Sequence, residues 1–126
     1  MTTAFLWSLK VELPSIVVLC YCIFFIMKPK IFISGKITGL EPEESKKLFK
    51  KAENYLKKKL NMFEVINPHE IKYESDEPAK QMLQVLDIIS QCEAVYFLDN
   101  WKSSNGSQCE YWFAKMLGIE TIVQGS

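Results

Sequence analysis

Two acidic side chains stand among apolar residues in this 126-residue chain. Asp87 falls within the run Met82, Leu83, Val85, Leu86, Ile88 and Ile89, and Glu110 is followed directly by Tyr111, Trp112 and Phe113. At helical spacing Asp87 shares a stripe with Leu83, and Glu110 shares one with Phe113, Ala114 and Leu117, so both carboxylates are expected on the inward side of a helix. A buried acid must be hydrogen-bonded, ion-paired or put to chemical use, because leaving its charge unpartnered away from water is costly. Two such acids on inward-facing stripes together suggest a site, since differing environments push two carboxyl pKa values apart. Burial is expected to keep Asp87 protonated. A place in the first turn of its helix is expected to keep Glu110 ionised.

These residues need a scaffold, and the pattern supplies one from Lys30 onward. The run "KIFIS", Lys30 to Ser34, reads as a buried strand halted by Gly35. A helix follows, with Pro42 in its first turn, Glu41, Glu43 and Glu44 complementing the dipole, and Leu48, Phe49, Ala52, Tyr55, Leu56 and Leu60 at helical spacing. Lys46, Lys47, Lys50, Lys51, Lys57, Lys58 and Lys59 read as its solvated face. "FEVI", Phe63 to Ile66, makes a second strand ended by Asn67-Pro68. A helix over 78–92 and the strand "AVYFL", Ala94 to Leu98, come next. A last helix from about Gly106 to Leu117 ends at Gly118, and "ETIV", Glu120 to Val123, closes the chain as a strand. The alternation β-α-β-α-β-α-β implies an α/β flavodoxin-like three-layer fold: a mostly parallel sheet of four to five strands with helices on both faces. Ligands of such sheets bind beyond the carboxyl ends of the strands, where "SGKITG", "NPHE" and "DNWKSSNG" converge.

Those loops suit an anion. Ser34, Gly35, Lys36, Ile37, Thr38 and Gly39 would form one wall, and Ser104, Asn105 and Gly106 the other, with free N–H groups at the helix start and Gly106 letting the backbone come close. Asp99, at the tip of the third strand, is a further candidate for contacting a ligand. His69 reads as a surface residue of the second loop, and Trp101 and Trp112 either stack on a ligand or pack. All fifteen basic residues are lysine, so an anion must be held without a guanidinium fork.

Fifteen acidic residues balance the fifteen lysines, and a neutral chain has no field to draw in a nucleic-acid polymer. Cys20, Cys22, Cys92 and Cys109 lack the spacing of a zinc site or a disulfide framework, and with a single histidine no metal and no cofactor is expected. The apolar run "SIVVLCYCIFFIM", Ser15 to Met27, falls short of the ~20 residues of a spanning helix. Residues 1–26 therefore have three readings: an extended open reading frame ahead of Met27, a membrane-associating tail, or an extra buried element. The domain is expected over 27–126, in the cytoplasm, since no small-x-small cleavage site separates the run from the first strand.

"FISGKITG" after the first strand, an aspartate within "LDIISQCEAVYFL", and Ser-x-Gly-x-x-x-Glu at Ser104, Gly106 and Glu110 together resemble the nucleoside 2-deoxyribosyltransferase-like superfamily, nearest to the 2′-deoxynucleoside 5′-phosphate N-hydrolases. The resemblance spans about residues 27 to 126. It implies that Glu110 attacks the anomeric carbon of a deoxynucleotide or deoxynucleoside and that Asp87 assists the departing base, in two-carboxylate retaining chemistry. It also implies a 5′-phosphate near Ser104 and a homodimer. Phe32 stands where that family usually carries a tyrosine whose hydroxyl reaches the glutamate; Tyr73 or Tyr96 would have to replace it. A nucleotide-binding module without turnover is the alternative function, and a membrane-tethered interaction domain using residues 1–26 is a third.

Overall fold

Strand β1 (Lys30–Ser34) is the pivot of the molecule, its last four residues fully buried. A computed structural model describes residues 28–126 and, upstream of them, Ile16 and Leu19; the three readings of residues 1–26 concern a segment outside this described part. Four strands form one all-parallel sheet in the order β2-β1-β3-β4, with β2 (Glu64–Ile66), β3 (Ala94–Phe97) and β4 (Glu120–Val123). Ile31 aligns with Ala94 and Ser34 with Phe97 across the central pair.

Period-two alternation divides the core between the two faces. Ile31 and Ile33 of β1, with Ala94, Tyr96 and Leu98, pack against Phe49, Ala52 and Leu56 of helix α1 (Pro42–Lys59). Phe32, Val95 and Phe97 face the other way, onto Val85 and Ile89 of helix α2 (Pro78–Ser90) and Ala114 of helix α3 (Asn105–Leu117). The result is the three-layer α/β fold that the alternation implied. Pro42 opens α1 with Glu43 and Glu44 in its first turn, its last turn carries Lys57, Lys58 and Lys59, and the lysine face is solvated throughout. Gly118 ends α3 in the left-handed region at φ 74°.

The connections decide where a ligand can go. From β1 the chain crosses through α1 to β2 on one side, and from β2 it returns through α2 to β3 on the other side of β1. Such a reversal opens a crevice beyond the carboxyl ends of the two strands that flank it. Here those ends are Ser34 and Phe97. Among the described residues no helix is long and apolar enough to cross a membrane.

Candidate functional site

Ser34 closes β1 two residues after Phe32, so its side chain turns to the α2/α3 face, where α3 begins. Ser104 caps that helix, its hydroxyl accepting a bond from the Ser107 amide at 3.2 Å. Six residues past the cap, Glu110 lies in the second turn, pointing back at the strand end. The Ser34 hydroxyl donates to Glu110 Oε1 at 2.6 Å and stands 2.9 Å from the Ser107 hydroxyl. Ser34, Ser107 and Glu110 are all buried.

Above this trio opens a cavity of about 550 Å³, within the ~300–1,000 Å³ range of small-ligand sites. The β1–α1 loop gives it Gly35, Lys36, Ile37, Thr38 and Gly39; the start of α3 gives Ser103 through Ser107; α2 gives Pro78, Gln81, Met82 and Val85; and Tyr73 comes from the loop before α2. Glu110 is the one carboxylate among these lining residues. Its burial pushes the pKa up to about 7, and the Ser34 bond only partly opposes this. Tyr73 is half-buried, and burial together with the nearby Glu110 charge raises its phenol, so it stays a donor. Its hydroxyl makes a long 3.4 Å bond to the Pro68 carbonyl. The Lys36 side chain folds over Gly39, whose φ of 90° only glycine adopts readily. The Lys36 amide is tied to Asn100 Oδ1 at 3.0 Å.

A family model described as a domain of unknown function, DUF4406, matches residues 29–123. The chain belongs to the DUF4406 family. No curated protein and no solved structure matches it.

In this DUF4406 domain the expected residues separate. Gly35, Lys36, Ile37, Gly39, Ser104, Asn105, Gly106 and Glu110 all line one cavity, as the loop convergence required. Ser34 lies beneath the wall and binds Glu110. Asp87 is elsewhere. It is exposed, among the described residues its carboxylate bonds only Gln91, and it sits with Glu74, Ser75, Lys80, Leu83 and Gln84 in a separate surface depression. The reason is that α2 is apolar on two sides: Val85 and Ile89 turn inward, and Leu83, the residue that placed Asp87 inside, is 66% exposed. The two carboxylates therefore share no crevice, and Asp87 is neither buried nor a partner of Glu110. Nor does the helix terminus keep Glu110 ionised, because Glu110 lies one turn too deep for strong help from it and burial holds the carboxyl toward the neutral form.

Asp99 is exposed, its amide bonded to Gln124 Oε1, and it is not among the cavity residues. Leu117, expected inward with Glu110, is 48% exposed. Trp101 packs in the core, stacked on Tyr111 at 4.5 Å, while Trp112 is exposed. His69 is half-buried and bonded to the Ser45 hydroxyl at 2.8 Å. Of the two tyrosines named as replacements for the hydroxyl missing at Phe32, Tyr73 reaches the cavity and Tyr96 packs on the α1 face. Gly106 serves packing as well as access, for a Cβ there would meet Met82 Cε at 3.2 Å. Sequence reasoning missed Ser107, Gln81, Met82 and Val85. The i+3 spacing of Ser107 from the Ser104 cap was the available signal for the first.

Among the described residues no cluster of three His, Cys, Asp or Glu side chains is placed to hold a metal. What the arrangement offers is an anion subsite, made by the open N-terminus of α3, the Ser104 hydroxyl and Lys36, beside one carboxyl group poised near neutrality.

Proposed function

We propose that this DUF4406 domain acts at the N-glycosidic bond of a 2′-deoxyribonucleotide in the cytoplasm, with Glu110 as its single working carboxylate. The observation that carries the reading is the position of Glu110: nine-tenths buried, fixed by Ser34, and facing a nucleotide-sized cavity at the switch point of the sheet. The phosphate sits against the α3 N-terminus, Ser104 and Lys36, which puts the sugar over Glu110. The ionised carboxylate forms a bond to the anomeric carbon, the carbon–nitrogen bond breaks, and the base leaves with the electron pair. Water protonates that base, since Asp87 stands outside the cavity. A second water, or another base, then attacks the glycosyl ester and frees Glu110. The neutral net charge and the modest volume of the cavity favour a small molecule over a polymer.

The position of Asp87 gives the alternative a specific footing: with no acid beside Glu110, the pocket suits a nucleotide-binding module without turnover. Incubation with each deoxynucleoside monophosphate, followed by chromatography of free base, separates the two. Base release that disappears in Glu110→Ala is the expected result. Saturable binding of the nucleotides with no base released would establish the module instead.

A further inference from the structure

We infer that Ser107 and Ser34 form a one-way hydroxyl chain that positions Glu110, saturating Oε1 and leaving Oε2 as the only carboxyl oxygen open to a ligand. The geometry sets the direction. A serine hydroxyl has one proton to give. The 2.6 Å contact from Ser34 to Oε1 is as short as an O–H···O⁻ bond should be, so the Ser34 proton belongs there. The 2.9 Å contact between the two serine oxygens must then be filled by the Ser107 proton. Ser107 is free to supply it, because its cap contact to Ser104 uses the backbone amide.

Among the described residues Oε2 has no hydrogen-bond partner, and it is not sealed off, since every fully buried side-chain oxygen or nitrogen there is paired. It opens on the cavity. When Glu110 is neutral its proton is carried on Oε2 and is offered to the ligand. When Glu110 is ionised, Oε2 presents the attacking lone pair, and Oε1 stays tied to the strand end. Ser34 and Ser107 are thus positioning residues. Both are almost fully buried and neither is needed to touch a substrate. The charged and titratable groups facing Glu110 across the cavity are Lys36 from the β1–α1 loop and Tyr73 from the loop before α2; the α2 wall is uncharged. The catalytic consequence rests on the proposed function, but the orientation of the carboxyl group does not.

The test is a pH titration of the Glu110 side-chain carbon by NMR in full-length protein labelled at glutamate carboxyls, in wild type, Ser34→Ala and Ser107→Ala. Loss of the bond to the ionised carboxylate should raise the Glu110 midpoint in Ser34→Ala by about one unit or more. Ser107→Ala should shift it by a smaller amount in the same direction, because only polarisation through Ser34 is lost. An unchanged midpoint in Ser107→Ala, or a lowered one in Ser34→Ala, overturns the chain. If Ser34→Ala does not fold, Ser107→Ala decides alone. The midpoints are read without substrate, so a failure to release base bears on the reaction and leaves this orientation standing.

Discussion

At Glu110 the fold accepts a penalty that chemistry can use. The folded carboxyl titrates near 7, against 4.5 for a free glutamate, because burial outweighs the Ser34 bond. Between those values the folded chain holds the extra proton, so the contribution of Glu110 to stability is greatest at low pH and falls as pH rises from about 4.5 to 7. Above that range the ionised group costs the fold roughly 3 kcal/mol. Glu110→Gln removes the charge and keeps the shape. It should therefore be more stable than wild type at pH 8 by roughly 1–3 kcal/mol in urea unfolding, with the difference shrinking toward pH 5. A variant less stable than wild type at pH 8 would show that the ionised group is well accommodated. Ala114, one turn beyond Glu110, made its inward aim legible in the sequence. Its partner was not legible, since Ser34 lies 76 positions away and such contacts follow from topology rather than local pattern. Asp87 misled because a helix with apolar residues on two sides does not declare which side is covered.

At the level of elements, α1 shows a second buried carboxylate that periodicity did not single out. Glu53 lies among lysines along α1, yet its side chain is 2% exposed. Lys57 donates to it at 2.5 Å and Asn67 at 3.0 Å. Burial raises its pKa, but the bonds from Lys57 and Asn67 together with the charges of Lys57 and Lys50 outweigh burial and hold it below the usual carboxylate value. The sign is opposite to Glu110: this group stabilises the fold above its unfolded pKa, and the benefit is lost as pH falls through the lowered value. Asn67 also accepts from the His69 amide, so Glu53 anchors the turn after β2 to α1. Glu53→Ala is expected to cost about 2–4 kcal/mol at pH 7 by chemical denaturation, through a lost charge-assisted pair and an unpartnered Asn67. A change below about 0.5 kcal/mol would reduce the cluster to a surface ion pair. Every strand and α-helix over residues 30–123 could be read in advance from alternation, Pro42, Gly118 and the short apolar runs, whereas the short 3-10 turns at Pro68–Glu70 and Trp101–Ser103 lie where the sequence reads as loop. The misreadings fall on faces: Leu48 and Tyr55, expected inward by spacing, are 38% and 50% exposed, while Glu53 turns in.

Across the whole molecule, the strand order turns a simple alternation into a site. Because β1 is flanked by β2 and β3, the two loops richest in small and polar residues meet at one end of the sheet, and Glu110 closes the floor between them. That convergence followed from the β-α alternation alone, which is why the cavity walls were legible when the second carboxylate was not. The direct measurement is the intact mass of the protein after mixing with a 2′-fluorinated deoxynucleoside monophosphate, a substrate that slows breakdown of a glycosyl ester. One fluorinated sugar phosphate should be added per chain, on the peptide carrying Glu110, and Glu110→Ala should gain nothing. Base released with no adduct, an adduct on another residue, or neither base nor adduct would contradict a reaction through Glu110.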